Sequence, residues 1–113
     1  MIPGAADVIR KAVRQAARQL GLDRRALVAL LGLEGVEVGD PLLAVAPGSP
    51  AWDKALDVVE VYSLLMGLTQ EDEDAARTWL YAYNPQIEAT PHAALVAKDG
   101  LRTVRNLLAS AYR

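Results

Sequence analysis

The sequence predicts an all-α fold in one compact helical domain. Apolar residues recur at helical spacing through most of the chain, and strand-type alternation is absent. Gly, Pro, Ser, Thr and Asp fall where helices start and stop. The chain has 113 residues, enough for one core, and 52% of them are hydrophobic with 23% charged, which is too apolar for disorder.

Val8, Ile9, Ala12, Val13, Ala16, Ala17 and Leu20 mark a first helix that ends at Gly21, with Arg10, Arg14 and Arg18 on another face. Asp23 can accept from orphan N–H groups and so cap a second helix, Arg24–Leu31, built on Leu27, Val28, Leu30 and Leu31 and closed by Gly32. Residues 33–49 break the rhythm: Gly35, Gly39, Pro41, Pro47 and Gly48 oppose one long helix and leave room for a turn at 41–45. Ser49-Pro50 is a hydroxyl cap followed by proline at the first helical position, where a missing N–H is harmless. Trp52, Ala55, Leu56, Val59, Tyr62, Ser63 and Met66 then form one face of a helix ending near Gly67.

Thr69 reads as the opening of the next helix, with Glu71, Asp72, Glu73 and Asp74 in a first turn where negative charge complements the helix dipole. Its apolar face is Ala75, Ala76, Trp79, Leu80 and Tyr83, and Pro85 ends it at Asn84. Thr90-Pro91 repeats the cap-and-proline signal for a short helix to about Lys98. Asp99 is placed to cap the last helix, striped by Leu101, Val104, Leu107, Leu108 and Ala111.

Function classes narrow next. Without cysteine there is neither a disulfide nor a thiolate metal site. No apolar run reaches membrane-spanning length, and Arg10, Lys11, Arg14 and Arg18 stand where a signal peptide needs an apolar core, so a soluble cytoplasmic protein is expected. His92 is the single histidine and reads as a packing or surface residue, the acidic run as dipole complementarity, and Trp52 and Trp79 as core. No catalytic constellation, metal set or phosphate-cradling loop is present, so no enzyme, cofactor or metal is expected. Charge is unevenly laid out: residues 1–25 carry six basic side chains against two acidic, 34–74 ten acidic against Lys54 alone, and 77–113 five basic against two acidic. Such a layout can steer partners.

The stretch GLDRRALVALLGLE, residues 21–34, resembles the opening of an Xre-type helix-turn-helix through Gly21, Leu22, Asp23, Leu27, Leu30, Leu31, Gly32 and Leu33. Val28 stands where that family usually has alanine. The recognition segment departs further, with Glu34, Gly35, Glu37, Gly39, Asp40 and Pro41 in place of side chains that reach bases and phosphates. Arg10, Lys11, Arg14, Arg24 and Arg25 are the candidates for backbone-phosphate contacts.

Trp79, Asn84-Pro85, Ile87, Thr90-Pro91, Leu95, Gly100, Val104 and Leu107/Leu108, preceded by Pro47-Gly48-Ser49 and Trp52, resemble the toxin-binding domain of the Xre/MbcA/ParS antitoxins. The combined likeness covers roughly residues 18–110. It divides the chain into a degenerate helix-turn-helix region, 1–48, and a C-terminal toxin-binding region, 49–113, in one continuous unit. The resemblance implies an antitoxin of a type II system that binds a RES-domain, NAD-consuming toxin and occludes its cleft. It also implies a homodimer and autoregulatory binding to operator DNA. The residues it points to for the toxin are Asn84, Arg102 and Arg105, with Tyr112, Arg113 and the terminal carboxylate entering the cleft. Two rival readings stand beside it: a DNA-binding regulator without a toxin, which needs residues 34–46 to form a helix, and a small helical adaptor.

Overall fold

Helix starts follow local chemistry, and most of the caps are where the sequence puts them. The computed structural model describes residues 4–33 and 41–111. Among the described residues the chain is all-helical: α1 Ala5–Gln19, α2 Arg24–Leu31, a 3-10 turn Pro41–Ala44, α3 Pro50–Leu68, α4 Glu73–Tyr81, α5 Pro91–Leu95 and α6 Gly100–Ser110. Asp23 Oδ1 accepts from the Ala26 N–H at 2.8 Å, Ser49 Oγ from Trp52 at 3.1 Å and Thr90 Oγ1 from Ala93 at 3.2 Å. Pro50 and Pro91 occupy the first turns behind the last two of these caps.

α3 is the central element. α1, α2, α4 and α6 all pack on it, while α5 bridges α4 and α6. Ala55, Val58, Val61 and Leu65 of α3 are buried against Val13, Ala16, Ala17 and Leu20 of α1, Leu27 and Leu31 of α2, and Val104 and Leu108 of α6. Leu22, Leu42 and Val45 close the core from the connecting segments. Thus α1 and α2, from the first half of the chain, share a core with the second half.

The structure departs from the sequence reading at four places. Thr69 ends α3, its hydroxyl donating to the Leu65 carbonyl at 2.9 Å, and α4 is capped by Asp72, whose Oδ1 accepts from Asp74 and Ala75 at 3.0 and 3.1 Å. Gln70 and Glu71 lie between them with φ of 54° and 61°, so the acidic run straddles a corner and only Glu73 and Asp74 sit in the first turn. α4 stops at Tyr81, because Ala82 is already extended (φ −91°, ψ 139°), and Tyr83 therefore leaves the apolar stripe and is 66% exposed. α5 ends at Leu95 rather than near Lys98, and Asp99 makes no side-chain cap. Its φ of 57° is left-handed, whereas a capping side chain reaches its N–H groups from extended backbone.

The fourth departure is the orientation of α3. Ala55 of the expected face is buried, but Leu56 and Ser63 are exposed and the buried line runs through Val58, Val61 and Leu65. Beyond Glu60, α3 is apolar on nearly all sides, so spacing alone did not select the inward one. The corner before α4 gives a direct check. Asp72→Ala should lower stability by about 1 kcal/mol, the usual loss for an N-cap aspartate. Thr69→Ala should lower it less, and urea melts of the two variants would show the order.

Candidate functional site

Of the residues that the resemblance assigns to toxin contact, the described ones, Asn84, Arg102 and Arg105, lie along α6 and in the turn beside it. Helical spacing turns Val104 and Leu108 into the core and leaves Arg102, Arg105 and Asn106 exposed. α6 is brought against α5 by Gly100, which is itself buried. A side chain there would enter the Ala94 carbonyl, with the Leu95 carbonyl oxygen 2.8 Å away.

Arg102 lies at the start of α6 in a groove of about 450 Å³ that also takes in Leu30 of α2, Lys54 and Asp57 of α3, and Val96 and Lys98 from the α5–α6 turn. Arg105 is directed elsewhere: its Nε donates to Glu60 Oε1 of α3 at 2.9 Å. The hydrogen bond to Glu60, then the Glu60 charge, hold its pKa above the ordinary guanidinium range, outweighing a small desolvation effect. The stabilisation such a raised pKa brings is lost only as pH climbs past that range. Both side chains are close to half exposed, so the pair orients α6 on α3 and adds little to stability.

Asn84 is found at the other end of α6. Its Oδ1 accepts from the Gln86 N–H at 2.9 Å, and its own N–H donates to the Ala89 carbonyl at 2.9 Å. Those two bonds, with a left-handed Glu88 (φ 53°), close the Asn84–Ala89 turn. The Asn84 carboxamide therefore shapes the turn. Trp79, Asn84, Pro85, Gln86, Leu107 and Ser110 then line a groove of about 420 Å³, reached by the last turn of α6 at Ala111. Tyr112 and Arg113 follow directly and lie outside the described residues. The three described residues of that set are thus not one cluster: Arg102 and Asn84 belong to grooves at opposite ends of α6, with Arg105 between them.

Sequence reading missed the exposed aromatics and one long-range clasp. Tyr81 is 51% exposed, and its ring stacks on His92 with centroids 4.6 Å apart. His92 Nε2 donates to the Gly21 carbonyl at 2.9 Å, joining α5 to the α1–α2 turn. Gly21 has φ of 71°, and a side chain on it would meet the Tyr81 hydroxyl. The single histidine is a tether, as its packing assignment requires. Nothing in the sequence signalled this clasp beyond the glycine itself, because its partners are distant in sequence.

The basic set is also divided. Arg10 turns inward, donating from Nε to the Leu42 carbonyl at 3.1 Å and from Nη2 to the Val45 carbonyl at 3.0 Å, with its side chain 18% exposed. Lys11, Arg14, Arg24 and Arg25 are exposed. Residues 34–40, the acidic part of the would-be recognition segment, lie outside the described residues. The following 3-10 turn buries Pro41 and Leu42 in the core. Among the described residues no group of His, Asp or Glu is placed to hold a metal, and no helix is long and apolar enough to cross a membrane.

These surfaces offer shaped, partly apolar grooves and exposed aromatic rings, features suited to gripping another protein. No family model matches the chain, and no curated protein matches it either.

Proposed function

We propose that the chain is an antitoxin that binds a RES-domain, NAD-consuming toxin and obstructs its active-site cleft with the C-terminal end of α6 and the turn packed beside it. The observation that carries the reading is the groove where the Asn84 turn meets the last turn of α6, whose lining ends at Ala111, the residue before Tyr112 and Arg113 in sequence. The turn is held by its own hydrogen bonds, and a preformed surface loses less conformational freedom on association. Trp79 in the groove and the exposed Tyr83, which precedes Asn84, belong to the residue types that anchor protein interfaces. Arg102 serves at the rim, where charge affects association rate more than affinity.

The rival reading, a DNA-binding regulator, draws on the exposed Lys11, Arg14, Arg24 and Arg25. It loses Arg10 to the Leu42 and Val45 carbonyls, and it needs a helix where Pro41–Ala44 makes a 3-10 turn.

The test is NAD loss catalysed by a RES-domain protein encoded beside this chain, with full-length chain or a version ending at Ser110. Full-length chain should stop the loss. The shortened version should still bind but need about thirtyfold more protein for half inhibition, the equivalent of one hot-spot contact of about 2 kcal/mol. Equal inhibition by both would move the obstruction from the tail to the groove itself. If neither binds, the antitoxin reading fails.

A further inference from the structure

The groove at the start of α6 is built differently from the one at its end, which no charged residue lines. It brings together three cations from three elements: Lys54 of α3, Lys98 of the α5–α6 turn and Arg102 of α6. All three are exposed, and none has an ion pair among the described residues, although Asp57 and Asp99 line the same groove. Cations elsewhere are engaged within the chain: Arg10 by the Leu42 and Val45 carbonyls, Arg77 by Asp74 and Arg105 by Glu60. Val96, 49% exposed, adds an apolar surface beside Lys98, and Leu101 continues it.

We propose that this groove seats an acidic peptide segment of a partner protein, one that carries an apolar residue among its carboxylates. Each part of the lining then has a counterpart. Carboxylates of the segment answer Lys54, Lys98 and Arg102, its apolar residue covers Val96 and Leu101, and its backbone N–H groups donate to Asp57 and Asp99, which as carboxylates only accept. A nucleic acid fits less well. Its phosphates would meet Asp57 and Asp99, its backbone brings them no amide donors, and no aromatic ring lines the groove to stack a base. A basic segment would set cation against cation, and such juxtaposition at an interface opposes association. The toxin reading rests on the groove at the other end of α6, so either inference can fail alone.

Heteronuclear NMR titration of the full chain with the blocked peptide acetyl-Glu-Glu-Leu-Glu-Glu-amide tests it. Saturating shifts are expected at the amides of residues 96–102, weakened by added salt as the charges are screened. Lys98→Glu/Arg102→Glu should raise the dissociation constant about tenfold or more, a modest effect for reversed charges at a contact. Lys11→Glu/Arg25→Glu alters net charge equally at exposed positions outside the groove and should leave binding close to that of the wild type. The spectra themselves show whether each variant keeps its fold. Should a reversal unfold the chain, Lys98→Gln/Arg102→Gln and Lys11→Gln/Arg25→Gln serve instead, and only the first should weaken binding. The proposal is overturned by a peptide that does not saturate these amides, by an equal loss of affinity in the two folded variants, or by oligothymidylate displacing the peptide from the groove.

Discussion

Gly100→Ala should lower stability by about 3 kcal/mol, the upper end of the usual range for overpacking a filled site. The added methyl would lie inside the Ala94 carbonyl and 2.8 Å from both the Ala94 carbonyl carbon and the Leu95 oxygen. All of these are backbone atoms, so no rotamer change relieves the clash. Relief requires α6 to move away from α5, and Val104 and Leu108, both fully buried, would move with it. A fall in Tm of about 10 °C or more corresponds to that loss in a domain of this size. Gly4 has open space around it and gives the steric contrast: Gly4→Ala should cost only what separates alanine from glycine at the N-cap of α1, well below the loss at Gly100.

The second large effect concerns Arg10. Arg10→Ala should cost about 2 kcal/mol, within the range for hydrogen bonds made by a charged donor. The guanidinium reaches two carbonyls, at Leu42 and Val45, from one fork, and an alanine would leave the Val45 oxygen without it. Arg10→Lys should recover only part of the loss, because an ammonium is a point donor and lacks the fork. Lys11→Ala and Arg25→Ala, at exposed positions, should hardly alter the melt. Equilibrium urea unfolding of the four variants would show whether Arg10 stands apart from its basic neighbours. A flat response across all four would mean that the strap to the 3-10 turn contributes nothing.

What could be read from the sequence was what is decided locally. Asp23, Ser49 and Thr90 cap as expected because an N-cap bond spans only three residues. The helix count and the apolar stripe of α6 through Val104 and Leu108 followed from spacing. The start of α4 did not, because two successive left-handed residues, Gln70 and Glu71, are not glycine and give no warning. The inward side of α3 was hidden because Asp53, Asp57 and Glu60 mark the outside only in its first half, while Val61, Leu64, Leu65 and Met66 leave no polar stripe beyond. Site residues followed the same division. Asn84 was recognisable as a turn residue, but the diversion of Arg105 to Glu60 depends on a partner 45 positions away. Arg10 and His92 likewise act through carbonyls 32, 35 and 71 positions off. Sequence shows which side chains can reach; packing decides what they reach.

The tether between Gly21 and His92 bears on how the chain is made. During synthesis α1 and α2 leave the ribosome before the helix they bury against, and at about 5–20 residues per second several seconds separate Gly21 from His92. Until α3 is translated, Val13, Leu20, Leu27 and Leu31 lack the surface that later covers them, and until α5 follows the Gly21 clasp stays open. The N-terminal half therefore waits for α3 to be translated and for α5 to reach back. A ribosome stalled between them would display an unpaired greasy hairpin, a natural target for chaperones and proteases.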